Sequence, residues 1–297
     1  MRVTQSSMNA RALADLQRTA SQMAATSQQV SGGKRISQPS DDALGTHDAV
    51  RYRDELAGLA QYRSNAASAT SFVSATDSAL QQVSDITQRV RELTLQGANA
   101  TTDAAGRQAI AAEMDQLITS AKESLNAKAG DAYVFSGTAS TTKPFDTTTT
   151  PPDDTSHGDG KPVVRSIGPG VSVRVDTPGT ALEGLLSAMR ALQTHFASGT
   201  AADQATAATT DLSNLDAASE ALSGLNSAVG ATQNRVDAAD SRLADAQLTV
   251  KNLLSGVEDT DYATALTDLA AQQAGYQAAL KATAAVIQPS LLDYLTP

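Results

Sequence analysis

At 297 residues the chain exceeds the roughly 100–200 of an ordinary domain, so two or three units are expected. Apolar residues make up 41% but aromatics only 3%, with no Trp, which favours thin Ala, Leu and Val seams between helices over a thick globular core. A net charge of −10 and the absence of Cys argue against phosphate-backbone and anionic-membrane partners, and exclude disulfides, zinc–thiolate sites, iron–sulfur clusters and thiol nucleophiles.

The first periodic segment steps by threes and fours through Leu13, Leu16, Ala20, Met23, Ser27 and Val30, a narrow heptad seam. Gly32-Gly33 and then Pro39 stop it. Residues 31–45 read as a connector, and Ser40 with Asp41 and Asp42 reads as a helix start, because short polar side chains accept from free backbone N–H groups. Helical pattern resumes near Ala43 and carries Phe72, Val73, Leu80, Val83, Val90 and Leu93, with Thr76 and Thr87 filling seam positions. A further helix carries Ile110, Met114, Leu117, Ala121 and Leu125, closed by Gly130. Asp131 to Gly137 (DAYVFSG) is the first β-like run.

From Thr138 to Lys161 the chain turns rich in Thr, Ser, Pro, Asp and Gly, which predicts a long irregular surface loop or a small insertion. Val163 to Ile167 and Val171 to Val175 alternate around Gly168-Pro169-Gly170 and read as a hairpin. Helix returns through Leu182, Leu185, Met189, Leu192 and Phe196, then Leu212, Leu215, Leu222, Leu225 and Val229. A cleaner seam follows at Val236, Ala239, Leu243, Ala246, Val250, Leu253 and Val257. It breaks at GVEDTD and restarts out of phase at Tyr262, Leu266, Leu269, Gln273, Tyr276, Leu280, Thr283 and Ile287, ended by Pro289.

The layout is palindromic, so the two terminal helices meet if the chain folds back as a hairpin. From Tyr262 onward the charged residues are Asp268, Lys281 and Asp293. Helices this poor in charge and in large apolar side chains bury little alone and suit packing among copies of themselves.

Catalytic constellations do not rise above chance. His47, His157 and His195 are isolated and read as surface or packing residues. Ser31-Gly32-Gly33-Lys34 matches S-x-x-K without its partner motifs. Gln28 stands where a P-loop needs its first Gly, and Gly168-Pro169-Gly170 precedes a strand rather than a helix. Asp41-Asp42 and Asp153-Asp154 read as caps or solvated charge. No enzyme activity, metal, cofactor or small-molecule substrate is expected. The opening stretch has no apolar core, so no Sec signal peptide is expected, and no run reaches the ~20 residues of a membrane span.

Four stretches carry a resemblance. SGGKRISQPSDDALG (Ser31 to Gly45), TQRVRELTLQGANATTD (Thr87 to Asp103), GATQNRVDAADSRL (Gly230 to Leu243) and VEDTDYATALTDLAAQQAGYQAAL (Val257 to Leu280) resemble, in order, the terminal motifs of the bacterial flagellin family. The residues that carry it are Gly33, Arg35, Asp41 and Asp42; Arg89, Arg91, Glu92 and Leu93; Gln233, Asn234 and Arg235; and Glu258, Asp261 and Tyr262. The match covers about 1–136 and 181–297. Within the family, the opening Met1-Arg2-Val3-Thr4, the run Tyr133 to Thr138 and the close Ser290 to Leu295 are more similar to hook–filament junction members than to flagellin itself. Ala43 is the flagellin-like departure, and flagellin remains the alternative.

The resemblance implies a mainly α fold: an elongated flagellin-like hairpin of long helices, with a terminal coiled coil, a helical-bundle domain and a small inserted β-containing outer domain. Its parts would be residues 1–42 and 257–297 for the terminal coiled coil, 43–137 and 181–256 for the helical domain, and 138–180 for the outer domain. Leu13, Leu16, Met23, Val30, Leu266, Leu269, Tyr276, Leu280, Ile287, Leu291, Leu292 and Leu295 would form the assembly interface. It implies a structural protein exported unfolded by the flagellar type III apparatus with an export chaperone, which reverses the cytosolic placement that a missing signal peptide alone would give. Outside the cell it would form a ring of about eleven copies between hook-associated protein 1 and flagellin. A cytosolic coiled-coil adaptor, which shares the heptads and the acidity, is the reading from a different class.

Overall fold

The computed structural model of the chain describes residues 5–99, 101–149 and 151–287. Its elements in order are α1 (Gln5–Gly32), α2 (Ala43–Gly97), α3 (Ala104–Leu125), β1 (Lys128–Ala129), β2 (Ala132–Tyr133), β3 (Val164–Gly168), β4 (Val171–Arg174), α4 (Thr180–Ser198), α5 (Ala201–Thr206), a π-helical turn (Ala207–Asp211), α6 (Leu212–Glu258) and α7 (Tyr262–Ile287). The fold is mainly α, as the periodicity predicts. The chain divides into two units, residues 1–58 with 247–297 and residues 59–246.

Helix boundaries follow local chemistry. Asp42 Oδ1 accepts from the Gly45 N–H at 2.9 Å, and Asp103 Oδ1 accepts from the Gly106 N–H at 2.7 Å, so each carboxylate takes up a donor that the first helical turn cannot satisfy itself. Gly199 ends α4 with φ +69°, a conformation a side chain disfavours.

In the second unit α2 and α6 supply two long seams. On α2 buried positions recur in steps of three and four through Ala66, Ala69, Val73, Thr76, Leu80, Val83, Thr87, Val90 and Thr94. The buried threonines need no outside partner, because each hydroxyl donates to the carbonyl four residues back: Thr76 to Phe72, Thr87 to Val83, Thr94 to Val90. On α6 every seventh residue from Leu215 to Val250 is buried. The two stretches predicted around Leu212 to Val229 and Val236 to Val257 are therefore one helix. Leu253 is an exception to the predicted seam. It is exposed, while Leu254 and Val257 are half-buried.

Helices α3 and α4 pack on each other and complete a core that includes Met114, Ile118, Leu186, Met189 and Phe196. Arg107 is buried where the links at residues 102 and 199 meet α5. It donates to the carbonyls of Thr102 and Gly199 at 2.5 and 2.6 Å and to Gln204 Oε1 at 3.2 Å. These partners are neutral oxygens, and the charge is offset by the negative end of α4.

The β-containing region shares this core. Strands β3 and β4 pair antiparallel, Val164 opposite Arg174 with a bulge near Gly168, as the hairpin reading predicts. The DAYVFSG run differs from expectation, for its strand is only Ala132–Tyr133, paired with Lys128–Ala129. Val134, Phe135 and Ser136 continue as buried irregular backbone, held by Gly179 N–H to the Phe135 carbonyl and Asp159 N–H to the Ser136 carbonyl.

The predicted surface loop is also more than surface. Phe145 is fully buried, and Asn126 clamps its backbone with two hydrogen bonds, at 2.9 and 3.0 Å. Buried Lys122 meets Asp154 Oδ1 at 2.6 Å and donates to the Asp153 carbonyl at 2.7 Å. The loop composition shows the absence of regular structure but not these anchors, which come from a helix outside the loop.

Gly158 lies against the buried thread: a Cβ there would sit 2.9 Å from Ser136 Cα and 3.0 Å from the Phe135 oxygen. Gly184, in α4, faces open space. Gly158→Ala should therefore destabilise the unit by about 1–3 kcal/mol, whereas Gly184→Ala should stabilise it by about 0.5–1 kcal/mol. Urea unfolding of the two variants beside the parent checks both signs.

Candidate functional site

Seven of the residues singled out in the sequence converge in the first unit. The chain leaving α1 and the chain leaving α6 meet in a short antiparallel bridge, Lys34 opposite Asp259. The Arg35 N–H donates to the Glu258 carbonyl at 2.7 Å, and the Thr260 N–H to the Gly33 carbonyl at 3.0 Å. Gly33 has φ +68°, and a Cβ there would lie 2.6 Å from the Tyr262 hydroxyl. Glycine suits this position for its left-handed backbone, and it leaves the space that the Tyr262 hydroxyl occupies.

Side chains close the clasp. Arg35 donates with both terminal nitrogens to Asp42 Oδ2, at 3.2 Å each, and also to the Val257 carbonyl at 2.9 Å. The Glu258 carboxylate is buried, and its Oε1 receives the Lys34 ammonium and, at 2.6 Å, Arg53 Nη2. Two cations on one buried acid make Glu258 the electrostatic centre of the clasp. A groove of about 190 Å³ beside it is lined by Ile36, Ser37, Pro39, Thr46, Arg53 and Glu258, among others.

Three further acids hold the turns. Asp41 accepts from the Gln38 and Ser37 N–H groups, at 2.9 Å each, and from the Ser37 hydroxyl at 3.0 Å. These donors, the Gln38 amide foremost, hold its carboxyl below the usual range. Asp42 is lowered by the Gly45 N–H and then by Arg35. Asp261 begins α7, lowered by the Thr264 hydroxyl at 2.9 Å and by the Thr264 and Ala263 N–H groups.

Helices α1 and α7 lead away from the clasp and pack on each other. Ala12, Leu16, Thr19, Met23, Thr26 and Val30 of α1 are half-buried. On α7 Ala265 is buried, and Leu269, Gln272, Tyr276, Ala279 and Thr283 are half-buried. The interface residues predicted for these helices therefore divide. Leu16, Met23, Val30, Leu269 and Tyr276 line the seam inside the chain. Leu13, Tyr262, Leu266 and Leu280 are 57%, 52%, 52% and 43% exposed. Ile287 ends α7, but its side chain lies outside the described residues, as do Leu291, Leu292 and Leu295 entirely.

The other motif residues belong to the second unit. Leu93 is buried. Arg89 pairs with Glu113 at 2.8 Å and Glu92 at 3.2 Å, and Arg91 with Asp216 at 2.8 Å. These half-exposed pairs are screened by water and add little to stability. Gln233 donates to Asp237 at 3.0 Å, and Asn234 and Arg235 are exposed. Sequence reading missed Lys34 and Arg53. Lys34 stands inside a quoted motif, whereas Arg53 carries no local signal because its partner is 205 residues away. Among the described residues no group of His, Cys, Asp or Glu could hold a metal ion, and no helix is long and apolar enough to cross a membrane.

Comparisons with known proteins agree with this layout. The description "bacterial flagellin N-terminal helical region" matches residues 3–140, and "bacterial flagellin C-terminal helical region" matches residues 212–295. Flagellin FlaB1 of Treponema pallidum is 37% identical over 91 residues, 31% of this chain and 32% of that protein. The match thus spans about a third of the curated relative's length. Among solved structures, a flagellar hook-associated protein from Vibrio parahaemolyticus superposes with a TM-score of 0.66 at 22% identity, over 74% of this chain and 100% of its own. The flagellar hook-associated protein-3 from Legionella pneumophila does so with a TM-score of 0.62 at 13% identity, over 69% of this chain and 98% of its own. At such identities the likeness is one of fold.

Two outcomes test the clasp. Glu258→Gln keeps the shape but removes the charge that Lys34 and Arg53 share. It should speed hydrogen exchange at Arg35 and Thr260, whose N–H groups bridge the clasp, by about tenfold or more. Separately, the folded pKa values of Asp41, Asp42 and Asp261 are depressed. The stability they contribute is complete above the ordinary carboxylate value of about 4 and is lost as pH falls through the lower folded values. Protease sensitivity of residues 33–42 should therefore be unchanged between pH 7 and pH 5 and should rise near pH 3.

Proposed function

The chain belongs to the bacterial flagellin family, and from that premise we propose that it is a structural, non-enzymatic axial protein of the flagellum that joins hook to filament. In this reading it lies in the extracellular flagellum as a ring of about eleven copies. Hook-associated protein 1 borders the ring on one side, and on the other the ring templates the polymerisation of flagellin. The chain is exported unfolded through the type III apparatus, after an export chaperone has held it.

The observation that carries the junction reading is the run Tyr133 to Thr138, the stretch by which the sequence looks most like a junction member. Val134, Phe135 and Ser136 are buried and fasten the hairpin region to the helical core, so the motif has a structural task. The fold likeness to hook-associated proteins accords with it. Self-assembly is supported by the placement of exposed apolar side chains. Eight of the eleven large hydrophobic residues exposed among those described, from Leu13 to Leu280, belong to the first unit, so that unit carries most of the large apolar side chains left open to a partner. In assembly residues 1–42 with 257–297 would form an inner coiled coil, residues 43–137 with 181–256 the next shell, and 138–180 the outer part. Leu291, Leu292 and Leu295 would extend the inner contact. Arg89, Arg91 and Glu92 would face neighbouring copies.

Flagellin itself is the second reading, favoured by the 37% identity to a flagellin and by Ala43. Deleting the gene in the source bacterium separates the two. The junction reading expects complete hooks with unpolymerised flagellin in the medium. An intact junction with only the filament lost or shortened would make the chain a flagellin.

A further inference from the structure

The groove beside Glu258 holds an acceptor that the clasp leaves unused. Lys34 and Arg53 both meet one carboxylate oxygen, Oε1. Among the described residues no hydrogen bond reaches the other, Oε2, although the side chain is only 6% exposed. Oε2 is not sealed from solvent, and Glu258 lines the groove. A carboxylate oxygen so poorly hydrated is a strong acceptor without a donor. The hydroxyls in the groove wall do not supply one, for Ser37 donates to Asp41 at 3.0 Å and Thr46 to the Asp42 carbonyl at 2.7 Å.

Arg53 brings the complementary half, since it also lines the groove. Its Nη2 is spent on Glu258 at 2.6 Å, and its other N–H groups meet no acceptor among the described residues. An acceptor and a donor thus stand side by side, against apolar walls made by buried Ile36 and Ala49 and by Pro39. Charge is already balanced there, with Lys34, Arg35 and Arg53 set against Asp41, Asp42 and Glu258.

We infer that this groove is a binding pocket for a primary amide, the Asn or Gln side chain of a partner protein. A primary amide carries N–H and C=O on one edge, so it donates to Glu258 Oε2 while it accepts from Arg53. A trans peptide group turns those two atoms to opposite sides. An ammonium accepts nothing and would be a third cation on Glu258, and a carboxylate would be repelled by it. The short stem of Asn or Gln lies against Ile36, Pro39 and Ala49. At about 190 Å³ the groove is smaller than the roughly 300–1,000 Å³ of small-molecule sites, which suits one side chain presented by a docked chain. The pocket depends on the clasp alone, so it holds whether the chain is a junction protein or a flagellin.

Titration of the folded full chain, followed by NMR, tests this with N-acetylglutamine N-methylamide and its norleucine and lysine counterparts. The glutamine probe should move the signals of Ile36, Thr46, Ala49 and the Arg53 Nε–H group saturably, with a dissociation constant on the order of 1 mM. The other two should bind about tenfold more weakly or worse. Equal binding of the norleucine probe would make the groove a plain apolar slot, and equal binding of the lysine probe a charge trap; either overturns the inference. Acetamide binding as tightly as the glutamine probe would assign the groove to a free small amide and overturn the partner-protein source. Arg53→Lys keeps a cation on Glu258 but loses the planar fork. It should weaken the glutamine probe by about tenfold while hydrogen exchange at Arg35 and Thr260 stays parental, and unchanged binding overturns the role given to Arg53. If that variant loosens the clasp, the probe comparison on the parent chain still decides. The chain has no native Cys, so exposed Ser40, replaced as Ser40→Cys and labelled with benzophenone maleimide, reports the partner in the assembled flagellum. Its adducts should map beside an Asn or Gln whose change to Leu cuts their yield by about tenfold. Adducts indifferent to that change overturn the inference.

Discussion

The first unit depends on one buried carboxylate. Glu258 takes a charge from Lys34 and another from Arg53, while its own carbonyl accepts the Arg35 N–H. A buried acid with no partner would cost several kcal/mol, roughly, so the links that follow α1 and α6 are held where both cations can reach it. Most of the motif chemistry at either end of the sequence serves this arrangement. Gly33 admits Tyr262, Asp42 orients Arg35 while capping α2, and Asp261 starts α7 in the direction that brings it onto α1.

The second unit solves a different problem, that of building a core with few aromatics. It relies on regular seams of small and branched residues and on threonines whose hydroxyls bond within their own helix. Its two buried cations are treated differently. Lys122 meets a carboxylate, Asp154, whereas Arg107 is met by neutral oxygens that include the end of α4. In each case a helix side chain fixes irregular chain that could not hold itself, the loop at residues 153–154 and the links at residues 102 and 199.

Much of this was legible beforehand, for identifiable reasons. The break at Gly32-Gly33, the start at Asp42, the hairpin around Gly168-Pro169-Gly170 and the interruption between Glu258 and Tyr262 are local events, written in turn and cap residues that act over a few positions. The seam of α2 could be read through its threonines because the period alone fixes the face. Arg53, Arg107 and Lys122 could not be found in this way. Each is an ordinary cation on a helix, and its importance comes from an acceptor remote in sequence.

The seams show where the two levels divide. By itself the sequence determined that these segments are helices, that their apolar positions recur every seven residues, that two terminal helices flank a helical and β-containing middle, and that no thiol or clustered-histidine chemistry is present. A heptad pattern in residues this small admits either of two adjacent stripes, Leu266 with Leu280 or Ala265 with Ala279. Tertiary structure decided between them, turning the alanine stripe toward α1 and leaving the leucines outward. The physical reason is that periodicity constrains each helix to one broad side, whereas its rotation within that side is set by the clasp at its end and by the shape of the helix it meets.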